Sequence, residues 1–407
     1  MIRKLSIASL SLISLACAPQ VPDDPSGPPP LIEAEIESGY PSVTQACRAP
    51  VSEPTHLVVT STDFATGAVG LVELATRTVQ ADLALASSDA VPLVDGERVF
   101  VVNRYGFDYI DELDPHDDLA LLHEWAIASA SGLDAASDPH DLVLDPNGHA
   151  WVTLHGAPEL QRFAFPTLHG ADVAGELAVD LSNFADADAI PEVSLALACG
   201  ELLFVSAERI DRASWVPAES TVLIPVRAGD EPKLFEFDAE HDGSDAIELL
   251  GTGVGAWRLD PADSSGRTIL LRNSGIERVD LVSGTSEWVV PQAVFEDAGY
   301  LRLQLGGFDL DASGRMWVAA ANEDFSEYRL LRVDLSGPEP SLVVEVAGLQ
   351  SITGALEIVG DEAWFSDTTM GASGLRIFDL SSSPVQESAD SPLPVGLPPM
   401  GLAPLQM

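Results

Sequence analysis

Apolar residues in this chain come in short runs of four to seven, rich in Val, Leu, Ile and Trp, and parted by clusters of Gly, Pro, Asn, Asp and Ser. No stripe with helical spacing runs alongside them, so the pattern predicts short β-strands joined by tight turns. The runs also repeat in a fixed order. One unit reads "DLVL", the turn "DPNG", then "HAWVTLH", "ELQRFAF" and "GELAVDL". The same four-run order recurs over Asp89–Ile127, Pro191–Phe237, Gly253–Val290, Gly306–Gly348 and Gly354–Leu380.

A seventh unit is split. His56–Leu85 supplies the second, third and fourth runs, and the missing first run stands at the other end of the chain as "PPMGLAPL", Pro398–Leu405. A ring of blades closed by joining its two ends accounts for that arrangement, since closure protects sheet edges. The expected fold is therefore all-β: a seven-bladed β-propeller of four-stranded antiparallel blades, spanning residues 55–407, its first blade completed by the C-terminal strand. Within the units, Asp145-Pro146-Asn147-Gly148 and Asp311-Ala312-Ser313-Gly314 read as turns between first and second strands. Trp151, Trp317, Trp364 and Phe100 occupy equivalent second-strand positions, where packing between blades is expected of them.

"DLVLDPNGHAWV" and "GFDLDASGRMWV" carry a resemblance to bacterial propeller families of the YncE, NHL and SMP-30/virginiamycin-lyase kind. Those families include scaffolds, lactonases and a lyase, and a shared fold does not choose among them. SMP-30-type enzymes bind a divalent cation through Glu, Asn and Asp around the channel. No such ligand set aligns residue by residue here.

Charge narrows the partners. With 20 basic and 64 acidic residues the formal net charge is −44, which excludes nucleic acid as a natural partner and disfavours anionic lipid surfaces. An acidic surface keeps such a chain dispersed, and it also attracts divalent cations such as calcium.

The N-terminus changes the picture again. Arg3 and Lys4 precede an apolar stretch, Leu5–Ala16, of the length of a secretory h-region and too short to span a bilayer. Cys17 follows at once, resembling a lipobox with Ser14 and Leu15 in exchanged order. Residues 1–17 are thus expected to be a signal with lipidation at Cys17, anchoring the exported chain to the cell envelope at the outer membrane. Without use of the lipobox the chain would be secreted or periplasmic. Residues 18–54, dense in Pro and acidic side chains, read as an extended tether. Cys47 and Cys199 remain, and an oxidising compartment favours a disulfide between them.

On a propeller the first strands begin at the channel mouth, here at Ala90, His140, Val193, Gly255, Gly306, Gly354 and Met400. His140 and Asp141, with His155 from the next loop, are the candidate catalytic or metal-holding group. Loops on that face add Arg104, Tyr105, Arg209, Trp215, Arg272, Asn273, Asn322, Asp324 and Asp367 as candidate ligand-binding residues, the arginines for an anionic ligand. No GxSxG, HExxH, P-loop, dinucleotide or EF-hand motif is present. The leading expectation is a non-catalytic module whose top face binds a protein, peptide or glycan. The alternatives are a divalent-cation-dependent lactonase or lyase acting at the channel mouth, and an assembly scaffold.

Overall fold

The computed structural model describes residues 46–47, 53–127, 137–164, 177–217, 220–235, 243, 245–300 and 306–407. The signal-like segment, Cys17 and most of 18–54 lie outside them.

Seven antiparallel blade sheets follow one another along the chain, with a two-stranded hairpin, Ile210–Asp211 and Val216–Pro217, in the blade 4 loop. In each, strands A, B, C and D are neighbours in chain order, except that blade 1 takes its A strand, Pro399–Leu405, from the C-terminus. That strand pairs with His56–Thr62. Blade 2 shows the regular form: Ala90–Asp95, Arg98–Asn103, Tyr109–Asp114 and Ala120–Ala126. Blade 4 departs from it, because its C strand, Val222–Arg227, pairs with two short outer pieces, Lys233–Leu234 and Ile247–Glu248.

Burial explains the runs of apolar sequence. B strands are sandwiched between the neighbouring blades on both faces, and Leu202–Ala207 and Met316–Ala321 are buried at every residue. The D strand of blade 1, Thr78–Ala86, lies on the rim and is half-buried or exposed throughout. Each expected aromatic enters the core it shares with the following blade: Phe100 with blade 3, Trp151 with blade 4, Trp317 with blade 7 and Trp364 with blade 1.

The repeated Asp-x-x-Gly-x-x-Trp pattern is a turn lock. One oxygen of Asp311 accepts the peptide N–H groups of Ser313 and Arg315, and the other accepts the Trp317 indole N–H at 3.0 Å. Asp145 does the same for Asn147, His149 and Trp151. Glycine follows because Gly148 and Gly314 have φ of 83° and 78°.

A second aspartate in the same motif joins blades. Asp141 accepts Leu142 N–H with one oxygen and Ala196 N–H, on the A strand of blade 4, with the other. Asp309 accepts Leu310 N–H and reaches Ile358 of blade 7 in the same way. The A strands surround a central cavity of about 780 Å³ lined by residues of all seven blades. Arg258 stands in its wall between Asp309 at 2.6 Å and Glu357 at 3.3 Å.

Cys47 and Cys199 are joined by a disulfide, and Cys47 N–H also donates to Gly266 O. The chain just ahead of blade 1 is thereby fastened to blades 4 and 5.

Candidate functional site

On the face where B–C loops meet D–A connections, three connections converge at blade 3. The blade 2 loop supplies Asp108, whose carboxylate accepts the N–H groups of Ser137 and Asp138. The peptide N–H of Tyr105 in that loop donates to Asp138 Oδ1 at 2.8 Å. From the other side, His155 N–H donates to Asp138 O and Gly156 N–H to Ser137 O. The two residues ahead of the A strand are thus clamped between two loops.

His140 follows in a bulge: Pro139 pairs with Leu154 and Asp141 with Thr153, leaving His140 as the extra residue. A bulge re-aims a side chain out of the ladder. The His140 imidazole stacks on that of His155, ring centroids 4.3 Å apart and planes inclined by 14°. His140 Nε2 and His155 Nδ1 each lie 3.7 Å from Asp138 Oδ2, and one donor atom from each residue falls within 4.8 Å of the other two.

Those separations exceed a hydrogen bond. They approach the roughly 3.3 Å between ligands of a tetrahedral ion bound at about 2.0–2.1 Å. Protonation states fit as well. Burial holds both imidazoles below their ordinary range, His155 at about 3, where the cationic neighbours Arg212 and Arg104 add to the effect. Burial also pushes Asp138 up, but His140 and the Tyr105 N–H pull the carboxylate the other way and hold it below its ordinary range. Low values on all three groups favour the unprotonated donors that a cation binds. Two nitrogens and an oxygen suit zinc better than calcium, which takes oxygen ligands.

The sequence candidates separate accordingly. His140 and His155 come together, while Asp141 directs its carboxylate to Ala196 and Asp138 takes the place beside the imidazoles. The three arginines are already engaged. Arg104 pairs with Asp89 at 2.6 Å, Arg209 donates to Phe184 O, and Arg272 is fully buried, its guanidinium against Gly255. Asn273 bonds Glu277 and Gly275, Asn322 bonds Ser326 and Glu327, Asp324 bonds Ser326, and Asp367 caps Thr369. These four order their own loops. Tyr105 and Trp215 are exposed.

Sequence reasoning missed four residues. Besides Asp138, Arg212 links the blade 4 loop to the centre by donating to His155 O and pairing with Glu192 at 2.9 Å. Glu208, on the same face, is raised by burial to about 7 against the lowering bond from Ser194.

No protein-family model matches the chain, and no curated relative matches it. Solved structures share the architecture. A candidate 6-phosphogluconolactonase from Bacteroides fragilis has 12% identity and a TM-score of 0.59, covering 86% of this chain and 97% of that one. The periplasmic gluconolactonase of Pseudomonas aeruginosa has 16% identity and a TM-score of 0.55, covering 85% and 98%. A functionally unknown protein from Desulfotomaculum acetoxidans has 12% and 0.54, covering 86% and 99%. At such identities the likeness is one of fold.

The expectation of a non-catalytic binding module is corrected here. Chains of this architecture include lactonases, and the top face holds a His–His–Asp centre in place of a plain contact surface. The lactonase alternative accords better with both.

Proposed function

We propose that this protein hydrolyses a lactone at the blade 3 channel mouth, with a divalent ion of the zinc type held by Asp138, His140 and His155. The observation that carries this reading is the convergence of those three donors, clamped by two loops. The lactonase names among the fold neighbours support it, and it extends the resemblance to SMP-30-type propellers with a different donor set. An ion held at this position would supply Lewis acidity toward a carbonyl oxygen. The protein's own part is to hold the donors rigid. Asp138 is fixed by Tyr105 N–H, and the loop carrying His155 is fixed by Arg212.

In the reaction, water oxygen bonds to the lactone carbonyl carbon and the ring C–O bond breaks. The departing ring oxygen takes a proton, and the hydroxy acid formed ionises, releasing one proton per turnover. A pH-stat therefore reads the activity directly. Gluconolactone should be opened by zinc-loaded protein and not by the His140→Ala or His155→Ala variants. Equal rates in wild type and both variants would sink the assignment.

The disulfide and the N-terminal pattern support an exported chain, lipid-anchored through Cys17 at the outer membrane. Loss of membrane fractionation in Cys17→Ser tests that reading, and unchanged fractionation would refute it.

A further inference from the structure

Every exposed large aromatic among the described residues lies in a B–C loop: Phe64, Tyr105, Phe107 and Trp215. All of them therefore share the face of the His–His–Asp centre. Two belong to the loops that clamp that centre. Tyr105, 76% exposed, gives its peptide N–H to Asp138, and Trp215, 66% exposed, lies three residues after Arg212, which holds His155.

Their backbones are unusual as well. Phe64, Tyr105 and Trp215 have φ of 67°, 46° and 56°, a left-handed conformation that bulky residues rarely adopt. Core packing does not explain them, because the rings are in water. Strain of this kind with exposed apolar area marks a contact surface for a ligand.

The electrostatics decide which ligand. Arg104 and Arg212, cations close to the centre, are paired with Asp89 and Glu192, and the chain as a whole carries −44. Apart from the ion itself, a phosphorylated or otherwise anionic lactone meets arginines already paired with carboxylates and a repulsive overall field. Resting on the lactonase reading, we infer that the substrate is a neutral lactone bearing an apolar side chain, with Tyr105 and Trp215 gripping that chain as specificity determinants.

The test compares kcat/KM of the zinc-loaded full chain on δ-lactones with alkyl substituents from methyl to octyl, on gluconolactone and on 6-phosphogluconolactone. We expect a rise of about fourfold per added methylene that is fully buried, and the phosphorylated substrate to be the poorest. The double variant Tyr105→Ala/Trp215→Ala should raise KM for the octyl lactone at least tenfold more than KM for the methyl lactone. Tyr105→Phe should keep the preference. Rates independent of chain length, a preference for the phosphorylated lactone, or an unaltered octyl KM in the double variant would overturn the inference while leaving the lactonase reading intact. No turnover of any lactone would overturn both.

Discussion

His140 and Asp141 are neighbours in sequence with different tasks. His140 is the bulged residue facing His155, and Asp141 ties blade 3 to blade 4. Asp138→Asn should therefore weaken zinc binding by at least the 10–100-fold seen when a supporting shell is removed, with little change in stability of the metal-free protein. Asp141→Ala should do the reverse. It leaves two N–H groups without their acceptor, costing about 1–3 kcal/mol in a denaturant titration, and zinc affinity should hold. If the two variants exchanged these phenotypes, the division of labour would be refuted. His140 was legible in the sequence because the equivalent channel-mouth positions of the other blades are small or apolar, and His155 because it follows on the same face. Asp138 was not, since it joins them only through loop clamps made by Asp108 and Tyr105 and through a bulge that no residue pattern announces.

Strands and turns were far more legible, because each is dictated locally. The Asp, the Gly and the Trp of "DASGRMW" specify one turn between them, and the Asp side chain satisfies both the turn and the buried indole. Asp311→Ala should lower stability by about 1–3 kcal/mol by leaving the Trp317 N–H unsatisfied. Blade 7 shows the consequence of lacking this lock. Ile358 stands six residues before Trp364, whose buried indole nitrogen has no hydrogen-bond partner; the Arg77 guanidinium lies over the Trp364 ring, 4.5 Å from its centroid. The blade-joining aspartates were not readable as such, since their acceptors' partners are a blade away. Asp309→Ala should cost about 3–5 kcal/mol, more than Asp141→Ala, because Arg258 then loses its closer carboxylate inside the protein. Equal losses for the two variants would contradict that ranking.

At the scale of the whole ring, the cavity wall sets a pH dependence. Burial pushes Glu357 up to about 8, with the charge of Asp309 adding to it against Arg258. The folded protein then binds more protons than the unfolded chain between about pH 4, where a free carboxyl titrates, and about pH 8. Stability contributed by this group is accordingly full at the acid end of that window and lost as pH rises through it. Glu357→Gln should flatten the fall in melting temperature from pH 5 to pH 8. An unchanged slope would show that Glu357 is ionised in the folded state. Self-repulsion at −44 adds to the same trend, and salt should relieve that part alone.

The most direct test of the centre itself is a calorimetric titration of chelator-treated protein with zinc, with and without excess calcium. One equivalent should bind, undisplaced by calcium, and binding should be lost in His140→Ala and in His155→Ala. Absence of binding, or binding that survives both substitutions, would contradict the metal centre and the hydrolytic function built on it.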